Sequence, residues 1–137
     1  MLSGVKIFGE PKYRGAGKAP SELQEQITLF NEIRRRWPEI GEIAIHVRNE
    51  GKKSVQAVLR EKAEGMVTGA ADIIIPGCPT FVCELKRRDK GARVSKKQKT
   101  YLETAAKHGA FSCVCYGYES ALEAIALWNA TRTTCHG

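Results

Sequence analysis

The segment that follows Ser21 has apolar residues at the three- and four-residue intervals of a helix that buries one face. These residues are Leu23, Ile27, Phe30, Ile33 and Trp37. Ser21 and Gln24 have the spacing of a capping box, in which each side chain binds the backbone N–H of the other residue. Because Pro38 cannot continue a helix, the pattern predicts a first helix from Ser21 to about Trp37.

The same signals predict three more helices, over residues 54–64, 95–108 and 120–128. The apolar stripe of the first consists of Val55, Val58 and Leu59. In the second, the core-facing residues are Tyr101, Leu102, Ala105 and Ala106. Ser95 with Gln98, and Ser120 with Glu123, have the spacing of capping boxes, so the last two helices are expected to begin at a serine.

Between these helices lie shorter apolar segments that are typical of strands. Ile43, Ile45 and Val47 alternate with polar or small residues, which predicts a half-buried strand, and residues 49–53 then form a turn. Residues 110–116 predict a last strand. Strands that alternate with helices in this way indicate an α/β domain.

A hairpin is predicted in the middle of the chain. Asp72 opens one short apolar strand, and Glu84 lies near the end of the next. Residues 76–80 between them contain two prolines and a glycine, which predict a turn. A register that pairs Ile74 with Val82 would place Asp72 opposite Glu84. Since opposite residues share a face, the two carboxylates would then lie side by side.

The charges of this hairpin indicate chemistry. Glu84 and Lys86 share one face of their strand, and burying charged groups is costly unless they pair or bind a metal. Two carboxylates at one sheet edge offer the hard oxygen ligands that suit Mg²⁺ or Mn²⁺. Lys86 would stabilise a pentavalent phosphate or orient an attacking hydroxide. The alternative is a surface hairpin whose charges merely pair in solvent.

Several motifs, in this order along the chain, resemble the PD-(D/E)XK nuclease superfamily and, within it, the VRR-NUC family of small stand-alone phage and bacterial nucleases. The matching pieces are Ser21-Glu22-x-x-x-Gln26, HVRNEGKKS at residues 46–54, Gly69-x-x-Asp72, Glu84-Leu85-Lys86 and Gln98. The resemblance covers most of the chain. It implies a restriction-endonuclease-like α/β core, with a mixed central β-sheet flanked by α-helices.

The resemblance also implies roles for the hairpin residues. Asp72 and Glu84 would bind the metal, the Leu85 carbonyl would add a ligand, and Lys86 would be the catalytic lysine. The family has Pro directly before the first aspartate, where this chain has Ala71. That proline shapes the backbone and binds no metal, so the departure concerns strand geometry more than catalysis.

By the same resemblance, Glu22 and Gln98 would complete the catalytic site from two helices, with Glu22 as a further metal ligand. Glu25 lies in the same helical turn as Glu22 and is the alternative carboxylate. Gln98 has a competing role, since its side chain is also expected to cap Ser95. A lone histidine on a strand is more often structural, so His46 is left out of the site.

Basic residues outnumber acidic ones, 22 to 15, and give a net charge of +7 over 137 residues. This length fits a single domain, and the charge favours an anionic partner such as DNA, although a solvated basic surface has the same composition. One expected phosphate-binding cluster is Arg48, Lys52 and Lys53. The other is a mobile basic loop beside the active site, with Arg87, Arg88, Lys90, Arg93, Lys96 and Lys97.

The cysteines argue against a secreted protein. Five of them, at positions 78, 83, 113, 115 and 135, form no CxxC pair, and an odd number does not fit a full disulfide framework. Cys113 and Cys115 are expected to be small core residues, because a zinc site with Cys135 and His136 lacks the usual spacing. Without a membrane span or a signal-peptide core, we expect a soluble cytoplasmic protein of a bacterium or phage-infected host.

The expected organisation has three parts. Residues 1–20 form a loose basic arm that contributes an edge strand or a docking segment, residues 21–129 form the nuclease domain, and residues 130–137 form a tail. The expected function is Mg²⁺- or Mn²⁺-dependent hydrolysis of DNA by an endonuclease. The resemblance points to branched or Holliday-junction DNA and to a homodimer. The alternatives are a non-enzymatic basic DNA-binding module on a nuclease scaffold, and a nicking enzyme or exonuclease that acts on ordinary duplex.

Overall fold

A computed structural model describes residues 2–13, 19–48 and 53–133 of the chain. In this part of the chain a five-stranded sheet is packed between helices. The strands are β1 (Lys6–Phe8), β2 (Ile45–His46), β3 (Ile73–Ile75), β4 (Phe81–Lys86) and β5 (Phe111–Tyr116). The helices are α1 (Glu22–Arg36), α2 (Pro38–Ile43), α3 (Val55–Ala63), α4 (Lys96–Lys107) and α5 (Tyr118–Thr131). None of the described helices is long and apolar enough to cross a membrane.

The sheet is mixed, with the strand order β1-β5-β4-β3-β2. Strands β1, β5 and β4 are parallel, whereas β3 is antiparallel to both β4 and β2. This architecture confirms the predicted α/β class with a mixed central sheet flanked by helices. It places β4 in the middle of the sheet, so the charged end of β4 has a strand on each side.

The hairpin has the predicted register. Ile74 pairs with Val82 and Ile75 pairs with Phe81, and residues 76–80 form the loop between β3 and β4. Continued by one residue beyond the last paired position of β3, this register brings Asp72 opposite Glu84. Because an antiparallel pair keeps opposite residues on one face, both carboxylates lie on the same side of the sheet.

Alternate residues of β4 enter two separate cores. On one face, Phe81, Cys83 and Leu85 pack with side chains of α1 and α5. On the other face, Val82 packs with Leu102 of α4. Glu84 shares the face of Val82, so the sheet itself directs this carboxylate toward α4.

Serine residues begin three helices as the sequence predicts. The capping boxes of Ser21 with Gln24 and of Ser95 with Gln98 are both complete. Ser54 accepts a hydrogen bond from the Ala57 N–H at the start of α3. Since such caps satisfy backbone N–H groups that have no partner inside the helix, local sequence was enough to place these three starts.

The predicted start of the last helix is wrong. Helix α5 begins at Tyr118 and not at Ser120, and it runs to Thr131 instead of Trp128. Its N-cap is Gly117, whose φ of +86° favours glycine and whose side chain offers no cap. Burial and a tertiary contact explain this start, because the Glu25 carboxylate accepts a hydrogen bond from the Tyr118 N–H.

The predicted strand around Ile43 is also corrected. Pro38 is the first residue of α2, where its missing N–H costs nothing, and this helix continues to Ile43. Only Ile45 and His46 remain as strand β2. The side chains of Ile43 and Ile45 are 44% and 52% exposed, so the alternating pattern did not mark a buried face.

The apolar stripe predicted on α3 does not enter the core. Val55, Val58 and Leu59 are 72%, 39% and 61% exposed, and no described residue of α3 is buried. The sequence correctly predicts the helix and its cap. It does not show that the helix lies outside both core layers.

The beginning of the chain contributes an edge strand, one of the two roles expected for it. Strand β1 pairs with β5, and the backbone N–H groups of Lys12 and Tyr13 donate to the Arg88 carbonyl at 2.9 Å each. The described residues of this arm are therefore docked on the sheet and on the loop after β4. The division of the chain at residues 20 and 129 stays a prediction. Of the turn predicted at residues 49–53, residues 49–52 lie outside the described residues.

Candidate active site

Asp72 is fixed by the strands on both sides of it. Its backbone carbonyl accepts a hydrogen bond from the Val47 N–H at 2.7 Å, next to the two residues of β2. Its side-chain Oδ2 accepts a hydrogen bond from the Leu85 N–H of β4 at 2.9 Å. The Asp72 carboxylate therefore lies against the end of β4, close to Glu84.

Glu84 is a buried carboxylate with an incomplete set of partners. Its side chain is 2% exposed, and Lys86 Nζ lies 3.7 Å from Glu84 Oε2. Glu84 Oε1 is buried and receives no hydrogen bond from any described residue. Burial above all, and then the nearby Asp72 carboxylate, raise the pKa of Glu84 to about 9. The carboxylates of Asp72 and Glu84 therefore lack positive charge, which Lys86 supplies only in part.

Gln98 performs both of the roles that the sequence left in competition. Its Oε1 accepts a hydrogen bond from the Ser95 N–H at 2.8 Å and completes the capping box of α4. Its Nε2 donates to Glu84 Oε2 at 3.0 Å. The two ends of the amide serve different partners, so the helix cap also holds the buried carboxylate in place.

The structure distinguishes the two candidate carboxylates of α1. Glu22 lines the cleft of Asp72 and Lys86, and burial with the Asp72 charge raises its pKa against the lowering effect of Lys86. Glu25 is 2% exposed and lies elsewhere, with Oε2 at 3.5 Å from Arg88 Nε. Glu25 therefore joins α1 to Arg88 and the start of α5, and only Glu22 faces the predicted site.

One cleft of about 230 Å³ contains every residue predicted for catalysis or metal binding. These residues are Glu22, Asp72, Glu84, Leu85, Lys86 and Gln98. Leu23, Gln26, His46 and Val47 also line it. His46, which the sequence analysis left out, is exposed there with Nδ1 at 3.2 Å from the Asp72 carbonyl oxygen. His46 reaches the cleft because β2 pairs with β3, where His46 lies opposite Ile73, and the sequence does not give that pairing.

The residues of the cleft fit a divalent cation. Three carboxylates converge beside one lysine, and burial first, then the neighbouring carboxylate of Asp72, raises the pKa of Glu22 and of Glu84. The unpaired Glu84 Oε1 offers a buried lone pair, and carboxylate oxygens are the ligands that Mg²⁺ and Mn²⁺ prefer. The chemistry of this donor set therefore supports the predicted site, whose individual roles stay predictions.

Two of the basic residues predicted to contact DNA are bound to the protein itself. Arg87 Nη2 donates to the Ala19 carbonyl at 3.0 Å. The Arg88 guanidinium contacts Glu25 and lies 5.3 Å from the centre of the Tyr13 ring. These contacts anchor the first part of the loop after β4. The exposed cations of the remainder are Lys90, Arg93, Lys96 and Lys97.

The other predicted phosphate-binding cluster is described only in part. Arg48 and Lys53 are exposed, whereas Lys52 lies outside the described residues. Lys53 Nζ forms an ion pair with Glu61 Oε2 at 2.5 Å. Part of its charge is therefore already balanced at the surface, where such pairs are weak.

The cysteines of the central strands form a separate, closed cluster. The Sγ atoms of Cys83, Cys113 and Cys115 lie within 4.8 Å of one another, and all three residues are free and fully buried. Burial raises the pKa of Cys113 and of Cys115, so both keep the small-core role expected for them. Cys78 is disulfide-bonded, and Cys135 and His136, which belong to the zinc site rejected on spacing, lie outside the described residues.

Comparison with solved structures identifies the fold. A chain described as "VRR_NUC domain protein" superposes with a TM-score of 0.72 and 20% sequence identity, over 86% of this chain and 95% of that chain. This protein has a VRR-NUC-like fold. No protein-family model and no curated protein matches the sequence. The VRR-NUC-like fold confirms the fold that the motifs predicted, and at this identity it shows the fold alone.

Proposed function

We propose that this protein is a deoxyribonuclease that hydrolyses phosphodiester bonds of DNA with Mg²⁺ or Mn²⁺. The observation that carries the proposal is the buried Glu84 carboxylate, which has an unpaired oxygen beside Asp72 and a lysine at 3.7 Å. A carboxylate in this environment costs free energy unless a cation completes it. The VRR-NUC-like fold supports the same activity.

Asp72, Glu84, Glu22 and the Leu85 carbonyl would hold the cation. When bound, a divalent cation polarises a phosphoryl oxygen and lowers the pKa of water. Gln98 keeps the Glu84 carboxylate oriented through its hydrogen bond. Lys86, which is 12% exposed at the edge of the cleft, would place its ammonium beside the phosphate and stabilise charge that develops during attack.

The exposed basic residues of the loop before α4 would bind the DNA backbone. They are Lys90, Arg93, Lys96 and Lys97, and Lys96 and Lys97 begin the helix that carries Gln98. Arg48, Lys52 and Lys53 would add contacts from the other side of the cleft. Phosphate contacts of this kind position DNA without reading its sequence.

We further propose that two copies act together on branched DNA such as a Holliday junction, in the cytoplasm of a bacterium or of a phage-infected host. Exposed apolar side chains on α1 and β2 support a homodimer. Leu23 and Ile27 on α1 are 65% and 53% exposed, and Ile45 on the edge strand β2 is 52% exposed. A two-fold contact through these side chains would pair two active sites.

Cleavage assays with linear, flap, mismatched and four-way DNA test the enzyme. Wild-type protein should cut with Mg²⁺ or Mn²⁺ and stop cutting on chelation. Asp72→Ala and Glu84→Ala should each abolish cleavage while DNA binding in Ca²⁺ persists, because the basic loop is unchanged. Glu42→Ala, at an exposed position of α2, is the control. Ordinary cutting by Glu84→Ala would contradict the proposal and favour a non-catalytic module.

Sedimentation in moderate salt tests the dimer. We expect the mass of two chains, and Ile27→Lys should shift it to the mass of one. A strict monomer that cuts linear duplex and four-way DNA equally would exclude the junction-selective dimer. It would leave a simpler metal-dependent nuclease.

A further inference from the structure

A second cleft, of about 400 Å³, opens beside the candidate active site. It lies between α3 and the beginning of α4. Asp72 and Gln98 line both clefts, so the two form one continuous depression. A nucleotide in the second cleft would lie next to a phosphate bound in the first.

One side of the second cleft is an apolar wall formed by Val58, Met66 and Val67. These side chains are 39%, 40% and 53% exposed. Gly69 closes the floor, because its backbone touches α4 so closely that a Cβ would lie 2.7 Å from the Lys97 carbonyl carbon. The cleft is therefore built by close backbone packing, and its apolar wall faces open space.

The rim of the cleft carries positive charge. Lys62 of α3 and Lys97 of α4 both line it and are exposed. Within the described parts of the chain neither of them has a carboxylate partner, in contrast to Lys53, which pairs with Glu61. An apolar wall bordered by two ammonium groups matches a nucleotide, which has an apolar base face and an anionic phosphate.

We propose that this α3–α4 cleft binds an unpaired nucleotide next to the scissile phosphate, with its base on the apolar wall. The inference rests on the proposed nuclease function and specifies its substrate. A base inside a duplex is stacked on both faces and cannot reach the wall. The protein should therefore bind a DNA end or branch that has an unpaired nucleotide at the cut, such as an overhang, more tightly than the same end or branch with every base paired.

The direct test is an affinity comparison by fluorescence anisotropy in Ca²⁺. Three probes share one duplex: a blunt end, a short single-stranded overhang, and the same overhang with abasic residues. Wild-type protein should bind the overhang about tenfold more tightly than its abasic analogue, since burial of one base face against apolar side chains contributes at about this level. The cleavage rates of the three probes in Mg²⁺ should follow the same order.

Two matched variants on one helix separate the wall from the helix surface. Val58→Ser removes part of the apolar wall and should reduce the tenfold base preference to about twofold. Val55→Ser makes the same change one turn earlier, at a residue that does not line the cleft, and should keep the full preference. Circular dichroism melts of both variants show that each one folds.

Equal affinity of wild-type protein for the base-containing and abasic overhangs would overturn this inference and leave the nuclease standing. Loss of base preference in both variants, together with a fall in mass on sedimentation, would also overturn it and assign the helix face to a protein partner. A base preference that depends on Val58, without metal-dependent cleavage of any DNA, would support the nucleotide cleft and refute the enzyme. The two proposals therefore fail separately.

Discussion

Glu84→Gln should stabilise the metal-free protein at alkaline pH while abolishing its cleavage activity. The substitution keeps the shape of the side chain, and its oxygen can still accept the hydrogen bond from Gln98. The new amide is uncharged, like the protonated acid, so its burial beside the Asp72 carboxylate brings no charge repulsion. The variant therefore copies the neutral form of Glu84, which cannot ionise and cannot supply an anionic ligand.

The expected magnitude follows from the pKa of Glu84, which rises from 4.5 to about 9 in the fold. Between these values the folded protein keeps a proton that the unfolded chain has lost. The stabilising contribution of Glu84 is therefore fully present below about pH 4.5 and is lost as the pH rises toward 9. From about pH 5.5 to about pH 8, at about 1.4 kcal/mol per pH unit, the wild-type protein should lose about 3 kcal/mol through Glu84.

The assay is urea unfolding with chelator present, at about pH 5.5 and about pH 8, for wild-type protein and Glu84→Gln. From the lower to the higher pH, the free energy of unfolding should fall by about 3 kcal/mol less in Glu84→Gln than in the wild-type protein. Glu22 titrates in the same direction, but it is present in both proteins and cancels from the difference. Glu42→Gln, on an exposed helix position, should behave like wild type. An equal loss of stability in wild-type protein and in Glu84→Gln would refute the burial argument.

Three further predictions concern the lysine, the metal and the anchored arginine. Lys86→Arg should lose nearly all cleavage in a gel assay yet still bind DNA in Ca²⁺, because a planar guanidinium does not replace a compact ammonium. Cleavage by this variant at the wild-type rate would contradict a catalytic role for Lys86. Mn²⁺ or Mg²⁺ should raise the melting temperature more at about pH 8 than at about pH 5.5, because the cation competes with the proton on Glu84. A metal effect equal at both pH values would argue against the site. Arg88→Met should destabilise the fold by about 2 kcal/mol, since it leaves Glu25 buried without its cation, and should hardly change DNA affinity. Lys96→Met, at an exposed position, should weaken DNA binding and hardly change stability. The reverse pattern would show that Arg88 contacts DNA.

Local sequence was sufficient wherever a short segment contains both partners of an interaction. The capping boxes at Ser21 and Ser95 join residues three positions apart, and both formed as predicted. The hairpin register followed from a short loop and from alternation along two strands, so Asp72 and Glu84 could be placed together without the fold. These contacts span few residues and depend little on the rest of the chain.

Contacts between distant segments could not be predicted in this way. Glu22 and Glu25 have the same local signals, and only the packing of α1 against the sheet and α5 directs one to the cleft and the other to Arg88. The apolar stripes predicted for α1 and α3 also look alike. In α1, Phe30 and Ile33 are buried whereas Leu23 and Ile27 are exposed, and α3 has no buried residue. Burial depends on which elements meet in space, and sequence periodicity does not contain that information.

The sequence by itself determined the class of the fold and the chemistry of its central hairpin, because periodicity, caps and strand alternation act over a few residues. Only the tertiary structure decided which charges gather at the candidate site. It buried Glu84 with one oxygen unpaired, attached Gln98 to it through a helix cap, and paired Arg88 with the buried Glu25. The physical reason is that the cost of a charge depends on its surroundings, and those surroundings come from segments far apart in the chain.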